Sequence, residues 1–123
     1  MATIVFCEDD LMIQKLVRAA LRGSGHDLHV ASDGEEGLAL IRSVRPDLIF
    51  SDVSMPKVDG YQLGDALKAS PETAGIPLVF VTASVQRAQI AEAEQHGGAG
   101  VLPKPFTMAE LRARVAEYLP AAG

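Results

Sequence analysis

Five short apolar runs, each followed by a stretch whose apolar residues recur at helical spacing, constrain this chain more than any other feature. Thr3-Ile4-Val5-Phe6-Cys7 is short, rich in β-branched residues and ended by charge, the pattern of a buried strand. Ile13, Leu16, Val17, Ala20 and Leu21 then lie on one helical face, and Gly23 and Gly25 end that helix. A weaker strand covers Leu28 to Ala31. Ser32-Asp33-Gly34 leads into a helix carrying Leu38, Ile41 and Val44, stopped by Pro46. Leu48-Ile49-Phe50 is a third strand ending at Ser51-Asp52. A loop from Val53 to Gly60 and a short helix over Tyr61 to Ala69 follow. Pro77 introduces Leu78-Val79-Phe80-Val81, which ends at Thr82. A polar, alanine-rich helix is predicted from Val85 to His96; with few large apolar residues it should be the most loosely held. Val101-Leu102 is a brief fifth strand closed by Pro103-Lys104-Pro105. The last helix starts on a capping box, Thr107 with Glu110, and its predicted buried stripe is Met108, Leu111, Val115 and Tyr118.

This (βα)5 alternation specifies a parallel sheet with helices on both faces, because each crossover must be right-handed and covered. At 123 residues the chain fits one domain, residues 1–123, with 120–123 expected to be a frayed tail. The net charge is −5, and the Lys and Arg residues form no evident patch, which argues against nucleic acid as a partner. Cys7 is alone, so no internal disulfide forms, and a small buried role is expected. No run approaches a membrane span and no signal peptide is visible; a cytoplasmic location is expected. His26, His29 and His96 have no matching ligand partners in the sequence and are expected at the surface, as are Met12 and Lys15, which read equally as plain solvent-facing residues or as a docking point for a partner.

The polar residues fall where strands end: Glu8-Asp9-Asp10 after the first, Asp52 after the third, Thr82 after the fourth, Lys104 after the fifth. In a parallel sheet all carboxyl ends share one edge, and ligands bind there at the point where strand order reverses. Clustered carboxylates repel unless a cation is present, and oxygen-only ligands suit a hard ion such as Mg²⁺. Lys104 and Thr82 would complete a phosphate cradle, leaving Asp52 as nucleophile for an acyl phosphate.

Val5-Phe6-Cys7-Glu8-Asp9-Asp10, Asp47 to Asp52 with Met55-Pro56 and Asp59-Gly60, Val81-Thr82-Ala83, and Lys104-Pro105-Phe106 carry a resemblance. In that order and at strand ends, they make the chain resemble the receiver domain of bacterial two-component response regulators, over essentially its whole length. The resemblance implies a flavodoxin-like, doubly wound α/β fold with strand order 2-1-3-4-5. It implies a phosphorylation-dependent signalling switch, not a turnover enzyme. Asp52 is then the phosphoacceptor, charged by a sensor histidine kinase or histidine phosphotransfer protein, with the receiver catalysing its own phosphorylation and dephosphorylation. The metal, Mg²⁺ or Mn²⁺, would be held by Asp9 directly, Glu8 largely through water, Asp52, and the Ser54 backbone carbonyl. Thr82 and Lys104 would contact the phosphoryl group, Pro105 would follow a cis peptide, and Asp10 would cap the first helix. The implied partners are the phosphodonor and a downstream protein at the face of the fourth helix, fifth strand and fifth helix. No nucleic acid or membrane is implied, and the state is monomer or weak dimer.

One position departs from the family: Val101 stands where a switching Tyr or Phe is usual, three residues before Lys104. A valine cannot swing between exposed and buried poses, so movement of the 83–87 loop is expected instead. Ser54 and Ser84, at positions that tune phosphoryl lifetime in the family, are small and polar, so self-dephosphorylation is expected not to be unusually slow. Three rival readings share parts of this pattern. A haloacid-dehalogenase-type phosphatase needs an acid where Ser54 stands. A flavodoxin-like flavin protein would have its phosphate repelled by Glu8-Asp9-Asp10. A degenerate receiver, or a receiver excised from a hybrid kinase or longer regulator, would share the fold.

Overall fold

A computed structural model describes residues 2–83 and 86–119. Five strands, β1 (Thr3–Cys7), β2 (Asp27–Ala31), β3 (Leu48–Asp52), β4 (Leu78–Thr82) and β5 (Gly100–Pro103), alternate with α1 (Leu11–Leu21), α2 (Gly34–Val44), α3 (Gly60–Lys68), α4 (Arg87–Gln95) and α5 (Met108–Tyr118). All strands are parallel, in the order β2-β1-β3-β4-β5.

The period-two alternation of the strands sorts the helices to their faces. Ile4 and Phe6 of β1, Leu48 and Phe50 of β3, and Val79 and Val81 of β4 point to one side, where they meet Val17 and Leu21 of α1 and Leu111 and Val115 of α5. Val5, Cys7, Ile49, Leu78 and Phe80 point to the other, against Ile41 of α2, Leu63 and Leu67 of α3, and Ala93 of α4. A sheet buried on both faces needs continuous apolar runs, and β1, β3 and β4 have them. The Phe6 and Phe50 rings stack across adjacent strands at 5.2 Å.

Four helices begin on a side-chain cap: Asp10 for α1, Asp33 for α2, Asp59 for α3 and Thr107 for α5, the last two completing capping boxes. α4 begins at Arg87, and its first flanking residue, Gln86, makes no side-chain cap bond. The expected helix start at Val85 lies outside the described residues, as do the expected frayed tail and Ser84. Met108 departs from the expected buried stripe: it is 38% exposed, because the first residue of α5 overhangs the end of the core. The histidines are half-buried and partnered. His29 Nε2 is 2.9 Å from Asp27 Oδ2, and His96 Nδ1 is 2.8 Å from Asp65 Oδ1 with its ring stacked on Tyr61. No helix of the described residues is long and apolar enough to cross a membrane.

Strand order fixes where the site lies. From β1 the chain steps outward to β2, then returns past β1 to β3 and onward. The reversal leaves a crevice above the carboxyl ends of β1 and β3.

Candidate functional site

Glu8 and Asp9 leave β1 at that crevice, and Asp52 ends β3 beside them. One carboxylate oxygen from each lies within 4.8 Å of the others. Glu8 is fully buried, Asp52 is 7% exposed and Asp9 faces solvent. Lys104 arrives from the end of β5, its backbone N–H donating to the Thr82 carbonyl at 2.8 Å. Its Nζ donates to Asp52 Oδ2 at 2.5 Å and lies 2.9 Å from Glu8 Oε1. The Lys104–Pro105 peptide is cis.

The surrounding backbone locks these groups. The Glu8 amide donates to Ala31 O at 2.9 Å, and the Asp10 amide donates to Glu8 Oε2 at 3.1 Å. The Ser54 amide donates to Asp52 Oδ1 at 3.2 Å. Gly60 permits the loop after β3 to fold back: a Cβ there would run into the Asp52 carbonyl and the Val53 backbone. Asp10 is turned out of the crevice, its side chain accepting from Met12 N and Ile13 N at the start of α1. Thr82 is half-buried at the end of β4.

Two carboxylates and one ammonium in a buried crevice perturb one another. Burial pushes the Glu8 carboxyl up to about 7; the Lys104 ammonium and the Asp10 amide pull the other way, and the Asp52 charge adds to the rise. Burial alone would lower Lys104, but its hydrogen bonds and charge contacts with Asp52 and Glu8 outweigh it, and its pKa is raised. One lysine thus answers two close carboxylates, with Asp9 a third. Glu8 Oε1 is buried and faces the Lys104 ammonium at 2.9 Å. A shortage of positive charge in an all-oxygen donor set fits a hard divalent cation.

Sequence patterns did not expose two features. Gln14 is buried beneath the crevice and donates to the Glu8 carbonyl at 2.6 Å and to Ser32 Oγ at 3.3 Å, holding the first turn after β1. Its signal was a polar residue on the stripe that also bears Val17 and Leu21. An apolar cleft of about 480 Å³ borders Lys104, lined by Met12, Ile13, Leu16 and Phe106 among others. Met12 (72% exposed) stands at its rim, Leu11 (69%) precedes it as the first residue of α1, and Lys15 is exposed. Val101 is half-buried against the α4 side of the sheet, and Arg114 Nη1 of α5 donates to its carbonyl.

A family model described as the response regulator receiver domain matches residues 4–116. The DNA-binding dual master transcriptional regulator RpaA of Synechocystis is 37% identical over 97% of this chain and 49% of its own length. Among solved structures, the chemotaxis response regulator CheY4 of Vibrio cholerae superposes with a TM-score of 0.92 at 28% identity, covering 97% of this chain and 99% of that one. The receiver domain of the Francisella response regulator 1452 gives 0.88 at 29% identity, covering 96% of each. The chain spans about half the length of the curated relatives it matches. These relatives correct the expected partner set. An account with protein partners only, no nucleic acid, and output through the fourth helix, fifth strand and fifth helix does not stand, because relatives such as RpaA are named as DNA-binding regulators. The charge argument reached only the half of those proteins that this chain matches; a net charge of −5 there says nothing of the surface the other half presents.

Proposed function

The chain belongs to the response regulator receiver family, and from that premise we propose that it is a switch operated by phosphorylation of Asp52. Receiver domains are signalling domains. The observation that carries the specific reading is the joint grip on Asp52: Lys104 Nζ on one oxygen, the Ser54 amide on the other, and Glu8 and Asp9 alongside. Residues 1–123 are read as one receiver unit, in the cytoplasm where a phosphohistidine donor would meet it.

In the proposed step a carboxylate oxygen of Asp52 attacks the phosphorus of a phosphohistidine. The O–P bond forms as the P–N bond breaks, and the electron pair passes to the imidazole nitrogen, which takes a proton from solvent. Glu8, Asp9, Asp52 and the Ser54 carbonyl would hold Mg²⁺ or Mn²⁺. When bound, that ion neutralises charge on the transferring oxygens and on the carboxylates. Lys104 is already at Asp52 and would follow a phosphoryl oxygen, a positive charge aimed where negative charge develops. Thr82, at the adjacent strand end, would donate its hydroxyl to another. The exposed Leu11 and Met12 beside the crevice offer the donor protein apolar area. In the reverse sense water attacks phosphorus, the acyl phosphate O–P bond breaks, and Asp52 and inorganic phosphate are released. Ser54 is exposed and small, which leaves that approach open.

The test is intact mass after incubation with Mg²⁺ and acetyl phosphate. Wild type should gain one phosphoryl mass, Asp52→Asn none, and prior chelation should abolish the gain. Equal labelling of both proteins would defeat the assignment, and a phosphoryl half-life of many hours would refute the open approach at Ser54.

A further inference from the structure

The far end of the molecule, at the amino edge of the sheet, carries a second surface that phosphoryl transfer does not use. Two open clefts meet there, of about 400 and 220 Å³, and Leu21 and His26 line both. Arg18 and Arg22 of α1 and its following turn rim the larger; Arg112 of α5 rims the smaller. Leu28 floors one and Val115 and Leu119 the other.

The side chains at the rim of this surface are rich in donors. Among the described residues none of the three arginines is in an ion pair with a carboxylate. Arg112 spends only Nε, on the Ala20 carbonyl at 2.9 Å, so its remaining N–H groups are available. His26 Nδ1 accepts the Ala2 amide at 3.2 Å, which places the ring proton on Nε2. Ser24 Oγ already accepts the His26 amide at 3.2 Å, leaving its O–H to donate. The α1 dipole accounts for cations at that helix's end. It does not account for Arg112, which belongs to another helix, nor for the lack of a carboxylate in a chain with more acids than bases.

We propose that these clefts dock an acidic, aliphatic segment of a partner protein, with carboxylates on Arg18, Arg22 and Arg112 and aliphatic side chains on the floor of Leu21, Leu28 and Val115. The complementary chemistry selects the occupant. A rim of three arginines suits an acceptor-rich partner, and an apolar floor rewards aliphatic anchors. No Phe or Tyr lines either cleft, so a nucleotide base would find only the His26 ring and the arginines to stack on, over an aliphatic floor. The exposed large apolar residues, Leu11, Met12, Ile90 and Met108, all lie elsewhere, so nothing protrudes here to enter a bilayer. The surface goes beyond the phosphorylation reading and stands apart from it, since Asp52 is at the opposite edge of the sheet.

The probe is a fluorescein-labelled helical peptide of Glu and Leu, titrated with the domain and followed by anisotropy, with amide shifts read in parallel. Saturable binding, weakened about tenfold or more by Arg18→Gln/Arg22→Gln/Arg112→Gln and by raising salt from about 0.05 to about 0.5 M, is expected. Shifts should gather at residues 18–28 and 112–119. The single exposed change Arg22→Glu, checked for folding by circular dichroism, should act in the same direction. Asp52→Asn should bind as wild type does, so a failure of the phosphorylation reading would leave this result untouched. Absent binding, equal binding by the arginine variants, or displacement of the peptide by inorganic phosphate, ATP or phosphatidylglycerol vesicles would overturn the proposal.

Discussion

Glu8 makes the domain's stability depend on pH in a direction opposite to most acidic residues. Its carboxyl is buried and titrates at about 7, against an ordinary 4.5. The unfolded chain gives up this proton at the lower value and the folded chain keeps it to the higher one. Between those values the native state binds more protons, so stability falls as pH rises. The stabilisation is fully present below about 4.5 and lost by about 7. At about 1.4 kcal/mol per pKa unit, the rise amounts to about 3.5 kcal/mol at most. Lys104 does not offset this within the window, because its pKa lies above it and is raised further. Urea unfolding at several pH values, with chelator present, measures the slope; Glu8→Gln should flatten it. Magnesium should restore stability to wild type above pH 7, where the carboxylates are charged, and do less for the Gln variant, which keeps Asp9 and Asp52 but lacks one charge. A wild-type stability that rises through this window, or a slope unchanged in Glu8→Gln, would refute the burial argument.

Three other perturbations follow from contacts already described. Lys104→Met should cut acetyl phosphate labelling by on the order of 100-fold while Asp52 remains in place, read by intact mass; unchanged labelling would remove the lysine from the chemistry. The Cys7 thiol is buried and pushed up to about 12 by burial, then by the charges of Glu36 and Asp33, so a thiol reagent at neutral pH should label it only after denaturation. Gly37→Ala puts a Cβ against Cys7 Sγ, lifting α2 from the sheet; it should cost on the order of 1–3 kcal/mol in thermal or urea unfolding, and Cys7→Ala in the same chain should recover most of the loss.

How much of this was legible beforehand depended on how far apart the determinants lay. β1, β3 and β4 read directly, since a strand buried on both faces is a continuous apolar run until its carboxyl end, where Ser51-Asp52 and Thr82 stand. β2 begins at Asp27, one residue before the apolar signal, because its first pairing, Asp27 with Thr3, is made by backbone alone at the sheet edge. Helical spacing found the face of α5 but not where the core ends along it, hence the exposure of Met108. At the site, the strand ends located Glu8, Asp9, Asp52, Thr82 and Lys104, because parallel topology gathers strand ends whatever their separation. Gln14 was invisible because its partners, the Glu8 carbonyl and Ser32, meet it only after α1 docks. The His96–Asp65 pair joins α4 to α3 across 31 residues, a distance no local pattern spans.

The low apolar content of α4 connects sequence to response. α1 holds its place with Val17, Ala20 and Leu21 in the core, and shifting it would expose groups worth about 1.5–3 kcal/mol for each large side chain. α4 buries only Ala93 and starts without a side-chain cap. Its tether is at the other end, where His96 stacks on Tyr61 and pairs with Asp65, and the Gly98 amide donates to the Ala93 carbonyl at 2.8 Å. A helix held at one end moves most at the other, and that other end follows β4 and Thr82. If a phosphoryl group on Asp52 draws Thr82 toward it, the cheapest answer available to this fold is a displacement of the start of α4 about its His96 end. Val101, stiff at χ1 as a β-branched residue, packs on the same side of the sheet and has no second pose to offer. On the phosphorylation reading the response would therefore run through backbone: through α4, and through β5 by the Arg114 bond to the Val101 carbonyl, three residues from Lys104.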